Sequence, residues 1–166
     1  MAIHLYCGNG KGKTTAALGL ALRALGQNQK VALVQFMKKG EFGEIKALKK
    51  FPNIIIKQFG RQGFVRKANP QDRRLALAGL EFAQKVLKKK PEVLILDELN
   101  TAVSLKLLSE REVLGFLKKI SPKVEIIITG RGENKKIKAQ ADLVTEMKEI
   151  KHYFKKGLKA RRGIEF

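Results

Sequence analysis

A glycine-rich segment near the start of the chain carries residue types that bind phosphate groups. Residues 8–15 read Gly-Asn-Gly-Lys-Gly-Lys-Thr-Thr and lie between a short apolar run and a helical pattern. Glycines let the backbone N–H groups of such a loop turn towards an anion, and the N-terminus of the following helix adds partial positive charge. Lys13 is predicted to reach terminal phosphate oxygens of a nucleotide, and Thr14 to offer its hydroxyl to Mg²⁺ or Mn²⁺. The predicted binding residues are Gly8, Asn9, Gly10, Lys11, Gly12, Lys13, Thr14 and Thr15.

The loop departs from the standard phosphate-loop pattern at one position, because Cys7 occupies the place of the first glycine. A plain glycine-rich turn between a strand and a helix is the alternative interpretation. Lys11 also has two interpretations, since a loop lysine either contacts phosphate or is simply solvated. Cys7 itself is expected to be a small core residue, because no adjacent histidine is available to activate its thiol.

Two carboxylates follow a second apolar run. Residues 93–98 read Val-Leu-Ile-Leu-Asp-Glu, which is typical of a buried strand that ends in an acidic turn. In nucleotide-binding folds, such a strand brings a carboxylate to the magnesium ion beside the phosphate loop. The sequence therefore predicts a metal site formed by Thr14 with Asp97 or Glu98, and it leaves open which carboxylate binds directly. A purely structural acidic turn is the alternative.

An arginine follows a third apolar run, at residues 124–129, which leads directly into Gly-Arg-Gly. Ligands of open α/β sheets gather at the carboxyl ends of the strands. Arg131 is therefore expected beside the nucleotide, where its charge would assist catalysis. An exposed turn residue is the alternative.

These side chains need elements that bring them to one edge of a sheet. Short runs rich in Val, Ile and Leu alternate with helical patterns, which predicts a doubly wound α/β domain with buried parallel strands. Strands are predicted at residues 3–7, 31–36, 54–59, 93–97, 124–129 and, more weakly, 143–147. Helices are predicted at residues 14–25 and 70–89. Gly26 fits the C′ position of the first helix and Asn69 the N-cap of the second, while Ser109 and Glu112 form a capping box before a third. Residues 153–166 are predicted to be extended or irregular.

Composition limits the class of protein. A chain of 166 residues with 44% apolar content and no apolar run of about 18 residues predicts one domain over 1–166, neither disordered nor membrane-spanning. One cysteine excludes an internal disulfide, and the spacing of two distant histidines does not fit a zinc site. The N-terminus has no basic region before an apolar core, which predicts no secretory signal and a cytoplasmic location.

The charge balance is strongly basic. Lys and Arg number 35 against 15 Asp and Glu, which gives a formal net charge of +20 and predicts an anionic partner. The excess is spread along the chain, and its denser stretches could be solvated faces. A phosphate loop, an acidic pair and this charge would also suit a nucleic-acid-stimulated P-loop ATPase, which is the alternative function.

Several segments together resemble one known family, the ATP:corrinoid adenosyltransferases of the P-loop type. The segments that carry the resemblance are residues 6–17, 34–40, 96–100, 128–132, 141–147, 150–152, 157–160 and 163–165. The resemblance covers nearly the whole chain. It implies a single RecA-like P-loop NTPase domain with a mostly parallel sheet flanked by helices, and a homodimer.

The resemblance also implies a reaction. The 5′-deoxyadenosyl group of ATP would pass to the Co(I) of a reduced corrinoid, with release of triphosphate, in adenosylcobalamin biosynthesis or salvage. Cobalt is the nucleophile, so the protein orients ATP and holds the leaving group, with Lys13 and Arg131 as catalytic residues. The nucleotide would lie reversed along the loop, which places Asn9 on the ribose side. The sequence leaves open whether cobalamin or a biosynthetic precursor is the substrate.

The chain departs from the family in the segment implied to contact the corrinoid. Phe64 matches the family's aromatic residue and is the third predicted catalytic residue, whereas Arg66 stands where relatives usually have tryptophan. Tyr153 and Lys155 stand where relatives commonly have proline and aspartate. An N-terminal extension that some relatives fold over the site is expected to be missing. The basic surface is expected to guide an acidic flavodoxin-type reductase, and no nucleic acid or membrane is expected as a partner.

Overall fold

The computed structural model describes residues 2–62 and 68–165, and within these ranges six strands pair into one fully parallel sheet. The strands are β1 (Ile3–Cys7), β2 (Val31–Phe36), β3 (Ile54–Phe59), β4 (Val93–Asp97), β5 (Glu125–Thr129) and β6 (Leu143–Glu146). Their order across the sheet is β3-β2-β4-β5-β1-β6, so β1 lies between β5 and β6. The predicted α/β class with a mostly parallel sheet is confirmed.

Helices cover both faces of the sheet. The helices of the described residues are α1 (Lys13–Gly26), α2 (Gly43–Leu48), α3 (Pro70–Val86), α4 (Leu99–Ser104), α5 (Glu110–Leu117) and α6 (Lys135–Gln140). Helices α1 and α2 pack on the face lined by Leu33 and Ile95, and α3 to α6 pack on the face lined by Val34 and Leu96. Because side chains alternate along a strand, β2 and β4 are buried on both faces, which explains their continuous apolar sequences.

The prediction that Gly26 occupies the C′ position after α1 is wrong. Gly26 is the last residue of the helix, and the left-handed residue is Asn28, with φ of 59°. The N–H of Asn28 donates to the carbonyl of Leu25 at 3.0 Å, and the N–H of Gln29 donates to that of Ala24 at 3.0 Å. These two bonds form a Schellman motif, and asparagine adopts the left-handed conformation it requires more readily than other residues that carry a Cβ.

The predicted N-cap at Asn69 and the predicted capping box of Ser109 and Glu112 are both confirmed, and the structure adds a capping box between Asn69 and Asp72. The Asn69 side chain accepts from the N–H of Asp72 at 3.0 Å, and the Asp72 carboxylate accepts from the N–H of Asn69 at 3.0 Å. Ser109 and Glu112 make the same reciprocal pair at α5. Each box satisfies N–H groups that have no partner within the helix and so fixes where the helix begins.

Other boundaries differ from prediction by short stretches. The helix predicted over 70–89 is α-helical to Val86 and continues as a 3₁₀ turn at Leu87–Lys89. A second 3₁₀ turn, Tyr153–Lys156, lies in the segment predicted to be extended or irregular. Helices α2, α4 and α6 have six residues each and were not predicted, because so short a segment shows less than two turns of apolar period.

The parallel arrangement brings the loops that follow β1, β2, β4 and β5 to one carboxyl edge of the sheet. This edge holds the glycine-rich loop, the acidic turn and the Gly-Arg-Gly turn, as predicted from the strand ends. Phe64 and Arg66 lie outside the described residues. Among residues 2–62 and 68–165, no helix is both long and apolar enough to cross a bilayer.

Candidate active site

The glycine-rich loop joins β1 to α1 at the carboxyl edge. Close contacts and positive φ angles mean that a larger residue would not fit at its glycine positions. Gly8 has φ of 94°, and a Cβ there would lie 2.5 Å from the carbonyl oxygen of Met147. Gly12 has φ of 116° and occupies the N-cap of α1, where no side chain caps the helix. The first turn of α1 also lacks an acidic residue. The loop therefore lies at the positive end of a 14-residue helix whose first N–H groups have no side-chain cap.

Lys13 is held inside this loop. Its side-chain ammonium donates to the carbonyl oxygen of Gly10 at 2.7 Å, and only 7% of the residue is exposed. Burial lowers the pKa of Lys13 from its ordinary value, the charge of Glu98 partly offsets that effect, and the charge of Arg131 adds to it. Both of those charges come from the loops after β4 and β5, so the structure brings the three predicted charged residues together.

Asp97 is the fully buried centre of the site. Its Oδ1 accepts from the hydroxyls of Thr14 at 2.8 Å and Thr129 at 2.7 Å. Its Oδ2 accepts from the amide of Gln35 at 3.0 Å and lies 3.0 Å from the ammonium of Lys38. The carboxylate has 0% exposure and four donors, and it links the start of α1 to the ends of β2 and β5.

Glu98 adopts the left-handed conformation, with φ of 63°, directly after the buried aspartate. Its N–H donates to the Thr129 hydroxyl at 2.9 Å, and its carboxylate accepts from the Thr101 hydroxyl. The same Thr101 oxygen accepts from the N–H of Arg131 at 2.7 Å. A left-handed glutamate is strained, so these bonds hold the acidic turn and the Arg131 turn in one fixed arrangement.

The side chain of Asn100 holds the turn that contains Arg131. It is fully buried, and its side-chain nitrogen lies 3.3, 3.1 and 2.9 Å from the carbonyl oxygens of Gly130, Arg131 and Gly132. Asn134 in turn donates to the Asn100 side-chain oxygen at 2.7 Å. The backbone on both sides of Arg131 is therefore held, whereas the residue itself is exposed.

The donor set beside α1 fits a magnesium ion. Thr14, Asp97 and Glu98 offer one hydroxyl and two carboxylates, and Mg²⁺ prefers such hard oxygens with water and phosphate as further ligands. No cluster of three or more His, Cys, Asp and Glu side chains that could hold a metal occurs in residues 2–62 and 68–165. The Lys38 ammonium lies 3.0 Å from the Asp97 Oδ2, so one positive charge already stands against this carboxylate.

The whole chain matches a known protein family. A family model described as ATP:corrinoid adenosyltransferase BtuR/CobO/CobP matches residues 1–166. The chain belongs to this family. The resemblance inferred from the motifs is confirmed.

Relatives of known name agree with this assignment. A corrinoid adenosyltransferase of Pseudomonas aeruginosa is 38% identical over 168 residues, which cover 98% of this chain and 82% of the relative. Corrinoid adenosyltransferase of Escherichia coli is 37% identical over 171 residues, covering 99% and 85%. Corrinoid adenosyltransferase CobA of Salmonella typhimurium is 36% identical over 169 residues, covering 99% and 85%. The chain is thus a transferase of the corrinoid adenosyltransferase class, and ATP and a corrinoid are the substrates that the family implies.

A solved structure bears on the fold. The flagellar accessory protein FlaH from Methanocaldococcus jannaschii superposes with a TM-score of 0.58 over 87% of this chain and 70% of that chain, at 16% sequence identity. At this identity the likeness concerns the fold alone. It agrees with the predicted α/β fold with a mostly parallel sheet flanked by helices.

The structure separates the predicted site residues into two groups. Those gathered at the buried centre of the carboxyl edge are Gly8, Gly10, Gly12, Lys13, Thr14, Asp97 and Glu98. Asn9, Lys11, Thr15 and Arg131 are exposed, and Lys11 makes its polar contacts with the C-terminal segment. Phe64 cannot be placed in either group because it lies outside the described residues.

Sequence reasoning missed several polar residues of the site, including Asn100 and Asn134 described above. Gln35, Lys38, Thr101 and Thr129 all contact Asp97, Glu98 or the Arg131 turn. A signal was present for three of them, since Gln35, Lys38 and Thr129 stand at the ends of strands that lead to the same edge. A polar side chain at the end of an apolar strand is therefore a usable sign of the site.

Proposed function

We propose that this chain transfers the 5′-deoxyadenosyl group of ATP to the Co(I) of a reduced corrinoid and releases triphosphate. The observation that carries the proposal is the contact of Thr14 with buried Asp97 beside the uncapped start of α1, in a chain of the corrinoid adenosyltransferase family. Such a site suits a polyphosphate leaving group that carries a divalent cation. We propose that residues 1–166 act as one domain in this reaction.

The bond changes in this reaction require no proton transfer by the protein. Co(I) supplies an electron pair to C5′ of ATP, the cobalt–carbon bond forms, and the bond from C5′ to the phosphate oxygen breaks. Triphosphate leaves with the electron pair of that bond. A general base is unnecessary, so the chain contributes by orienting ATP and stabilising the charge on the leaving group.

Residues of the loop are proposed to bind the triphosphate. The backbone N–H groups of the loop and the ammonium of Lys13 would donate hydrogen bonds to the phosphate oxygens. The buried lysine would then exchange its hydrogen bond to the Gly10 carbonyl for one to phosphate. Arg131 adds a second positive charge from its braced turn. By resemblance to the family, Asn9 lies on the ribose side. The full proposed nucleotide set is Gly8, Asn9, Gly10, Lys11, Gly12, Lys13, Thr14 and Thr15.

Thr14, Asp97 and Glu98 are proposed to hold Mg²⁺, with Mn²⁺ as a substitute. When bound, the ion neutralises charge that develops on the triphosphate. Asp97 already accepts from four protein donors, whereas the Glu98 side chain accepts from Thr101 and is half-buried. We therefore assign Glu98 as the direct ligand and Asp97 as the carboxylate that orients Thr14.

The corrinoid side of the site rests on resemblance. Phe64 is proposed to contact the corrinoid and to assist removal of its lower axial ligand, with Arg66 in place of the usual tryptophan. We also propose a homodimer, a cytoplasmic location and an acidic flavodoxin-type reductase as electron donor, with no nucleic acid as partner.

An anaerobic assay tests the proposed function. The protein is mixed with chemically reduced Co(I) corrinoid and MgATP, and adenosylcorrinoid and triphosphate are measured. The expected result is equal amounts of both products. Formation of ADP and phosphate that rises with added single-stranded DNA would establish the ATPase alternative. MgATP binding without either product would show a nucleotide-binding protein without turnover.

A further inference from the structure

The second lysine of the glycine-rich loop is tied to the C-terminal segment. The Lys11 ammonium lies 2.6 Å from the Glu165 Oε1, 2.7 Å from the Tyr153 hydroxyl and 3.3 Å from the carbonyl oxygen of Ile164. Residues 11 and 165 are thus joined across almost the whole sequence. We call the group formed by Lys11, Tyr153, Arg161 and Glu165 the C-terminal clasp.

Glu165 is the centre of the clasp. Its carboxylate accepts from the Tyr153 hydroxyl and from the N–H of Arg161 at 2.7 Å, in addition to Lys11. The Lys11 ammonium and the Arg161 guanidinium lie 5.5 and 5.1 Å from the centre of the Tyr153 ring. An isolated exposed ion pair contributes little, but this carboxylate is 19% exposed and has several donors and two cations around one aromatic ring.

The same loop is also held from its β6 side. The N–H of Gly10 donates to the carbonyl of Met147 at 2.7 Å, and the N–H of Met147 donates to the carbonyl of Cys7 at 2.9 Å. The clasp adds a contact at the next residue of the loop. Two successive loop residues are therefore fixed by residues 147–165, which belong to neither β1 nor α1.

We propose that Glu165 is a positioning residue for nucleotide binding, which acts through Lys11 by holding the glycine-rich loop in its phosphate-binding form. Lys11 then belongs to the proposed nucleotide set as a tether of the loop and not as a phosphate ligand, because its ammonium contacts the clasp. A loop that is ordered beforehand loses less conformational freedom when it closes on triphosphate, so the clasp strengthens MgATP binding. This inference rests on the proposed nucleotide site.

Two glutamates of the same segment supply the test and its control. Glu165→Gln removes the charge that holds Lys11, while Glu149→Gln removes a carboxylate of similar exposure, 19% against 21%, that contacts Lys155 instead. We expect Glu165→Gln to weaken MgATP binding by about three- to tenfold. The KM for ATP should rise by the same factor, while kcat stays near that of the wild type. Glu149→Gln should leave both values unchanged.

Calorimetric titration of MgATP without corrinoid measures this binding directly, so failure of the adenosyl transfer would not affect the result. Unchanged affinity in Glu165→Gln would overturn the proposal. Tighter binding would overturn it too, because it would show that Glu165 competes with phosphate for Lys11. Thermal unfolding of both variants checks that each is folded.

A double variant tests whether Lys11 acts as a tether or binds phosphate itself. If Lys11 acts only through Glu165, the variant Lys11→Gln/Glu165→Gln should bind MgATP as weakly as either single variant. Additive losses would show that Lys11 binds phosphate itself and would contradict the proposal. Hydrogen exchange of residues 8–12 gives a readout without nucleotide, and we expect faster exchange in Glu165→Gln and unchanged exchange in Glu149→Gln.

Discussion

The chemistry of this site depends on how single buried charges are balanced. Asp97 is fully buried, and its two oxygens accept from Thr14, Thr129, Gln35 and Lys38. Lys13 is nearly buried and has the Gly10 carbonyl as its hydrogen-bond acceptor. A carboxylate with four donors is stable without a ligand, while an ammonium on a neutral carbonyl gains from an anion. The positive charge of the proposed polyphosphate site is therefore in place in the absence of a ligand.

Lys13→Ala should lower kcat/KM for ATP by about two to three orders of magnitude, because it removes a buried positive charge aimed at the leaving group. The anaerobic adenosylation assay measures the loss. Lys30→Ala, at the opposite edge of the sheet, is the matched control and should behave as wild type. Turnover of Lys13→Ala near the wild-type value would reject the proposed site.

Lys38→Met should lower the free energy of unfolding by about 2 kcal/mol in the presence of a chelator, because the Asp97 carboxylate loses its only ammonium partner among the described residues. Added Mg²⁺ should raise the melting temperature of this variant more than that of the wild type, since the ion no longer competes with Lys38. Lys39→Met, an exposed neighbour, is the control. Equal responses to Mg²⁺ in the two proteins would contradict a cation site beside Asp97, formed with Thr14 and Glu98.

Some residues of the site could be predicted from the sequence, and others could not. Lys13, Thr14 and Asp97 were predicted because their types and strand context are those of a phosphate site, and the structure places them together. The positions of Gln35 and Lys38 at the end of a strand are visible in the sequence, but their contact with Asp97 is not, because it depends on β2 lying beside β4 in the sheet. The Lys11 tether was missed for the same reason, since its partner lies at residue 165.

At the scale of elements, local signals predicted where helices begin better than where they end. The capping boxes of α3 and α5 are formed by residues three apart, so sequence shows them directly. The end of α1 depends on which of two residues, Gly26 or Asn28, takes the left-handed conformation. At α3 the box has a further partner, since the Arg61 guanidinium donates to both oxygens of Asp72 at 2.7 and 2.9 Å.

Asp72→Asn should lower the free energy of unfolding by about 2 kcal/mol at neutral pH, through loss of the charged contact with Arg61. That contact lowers the pKa of the Asp72 carboxyl from its ordinary value of 3.8. A lowered pKa in the folded state stabilises the protein above pH 3.8, and the contribution is lost as pH falls through the folded value. The difference between wild type and variant should therefore shrink in strong acid.

Denaturant unfolding at a series of pH values measures this dependence. Glu81→Gln, an exposed residue of the same helix, is the control and should change the free energy of unfolding by less than about 0.5 kcal/mol. A difference for Asp72→Asn that is constant from neutral to strongly acidic pH would show that the ionised carboxylate does not stabilise α3.

At the scale of the whole molecule, the basic residues of the candidate site account for only a small part of the net charge of +20. Lys13, Lys38 and Lys11 have partners within the structure, and most other basic residues are exposed. A field of this sign accelerates encounter with an anionic partner more than it strengthens a complex. We therefore connect the charge with docking of an acidic reductase.

The effect of salt on the reaction rate should distinguish docking of a reductase from the adenosyl transfer itself. Raising ionic strength from about 0.1 M to about 1 M shortens the Debye length from about 10 Å to about 3 Å. Adenosylation coupled to an acidic flavodoxin-type reductase should slow more than adenosylation of chemically prepared Co(I) corrinoid. Equal slowing of the two reactions would contradict electrostatic docking and leave the salt effect with ATP binding.

The position of β1 has a consequence for how the chain folds during synthesis. β1 is made first, yet both of its neighbours, β5 and β6, are made after residue 124. On the ribosome, β2, β3 and β4 can pair while β1 still lacks its sheet partners, and the glycine-rich loop lacks the Met147 carbonyl that holds Gly10. A nucleotide bound at the proposed loop site would therefore stabilise the fold only after β6 has emerged.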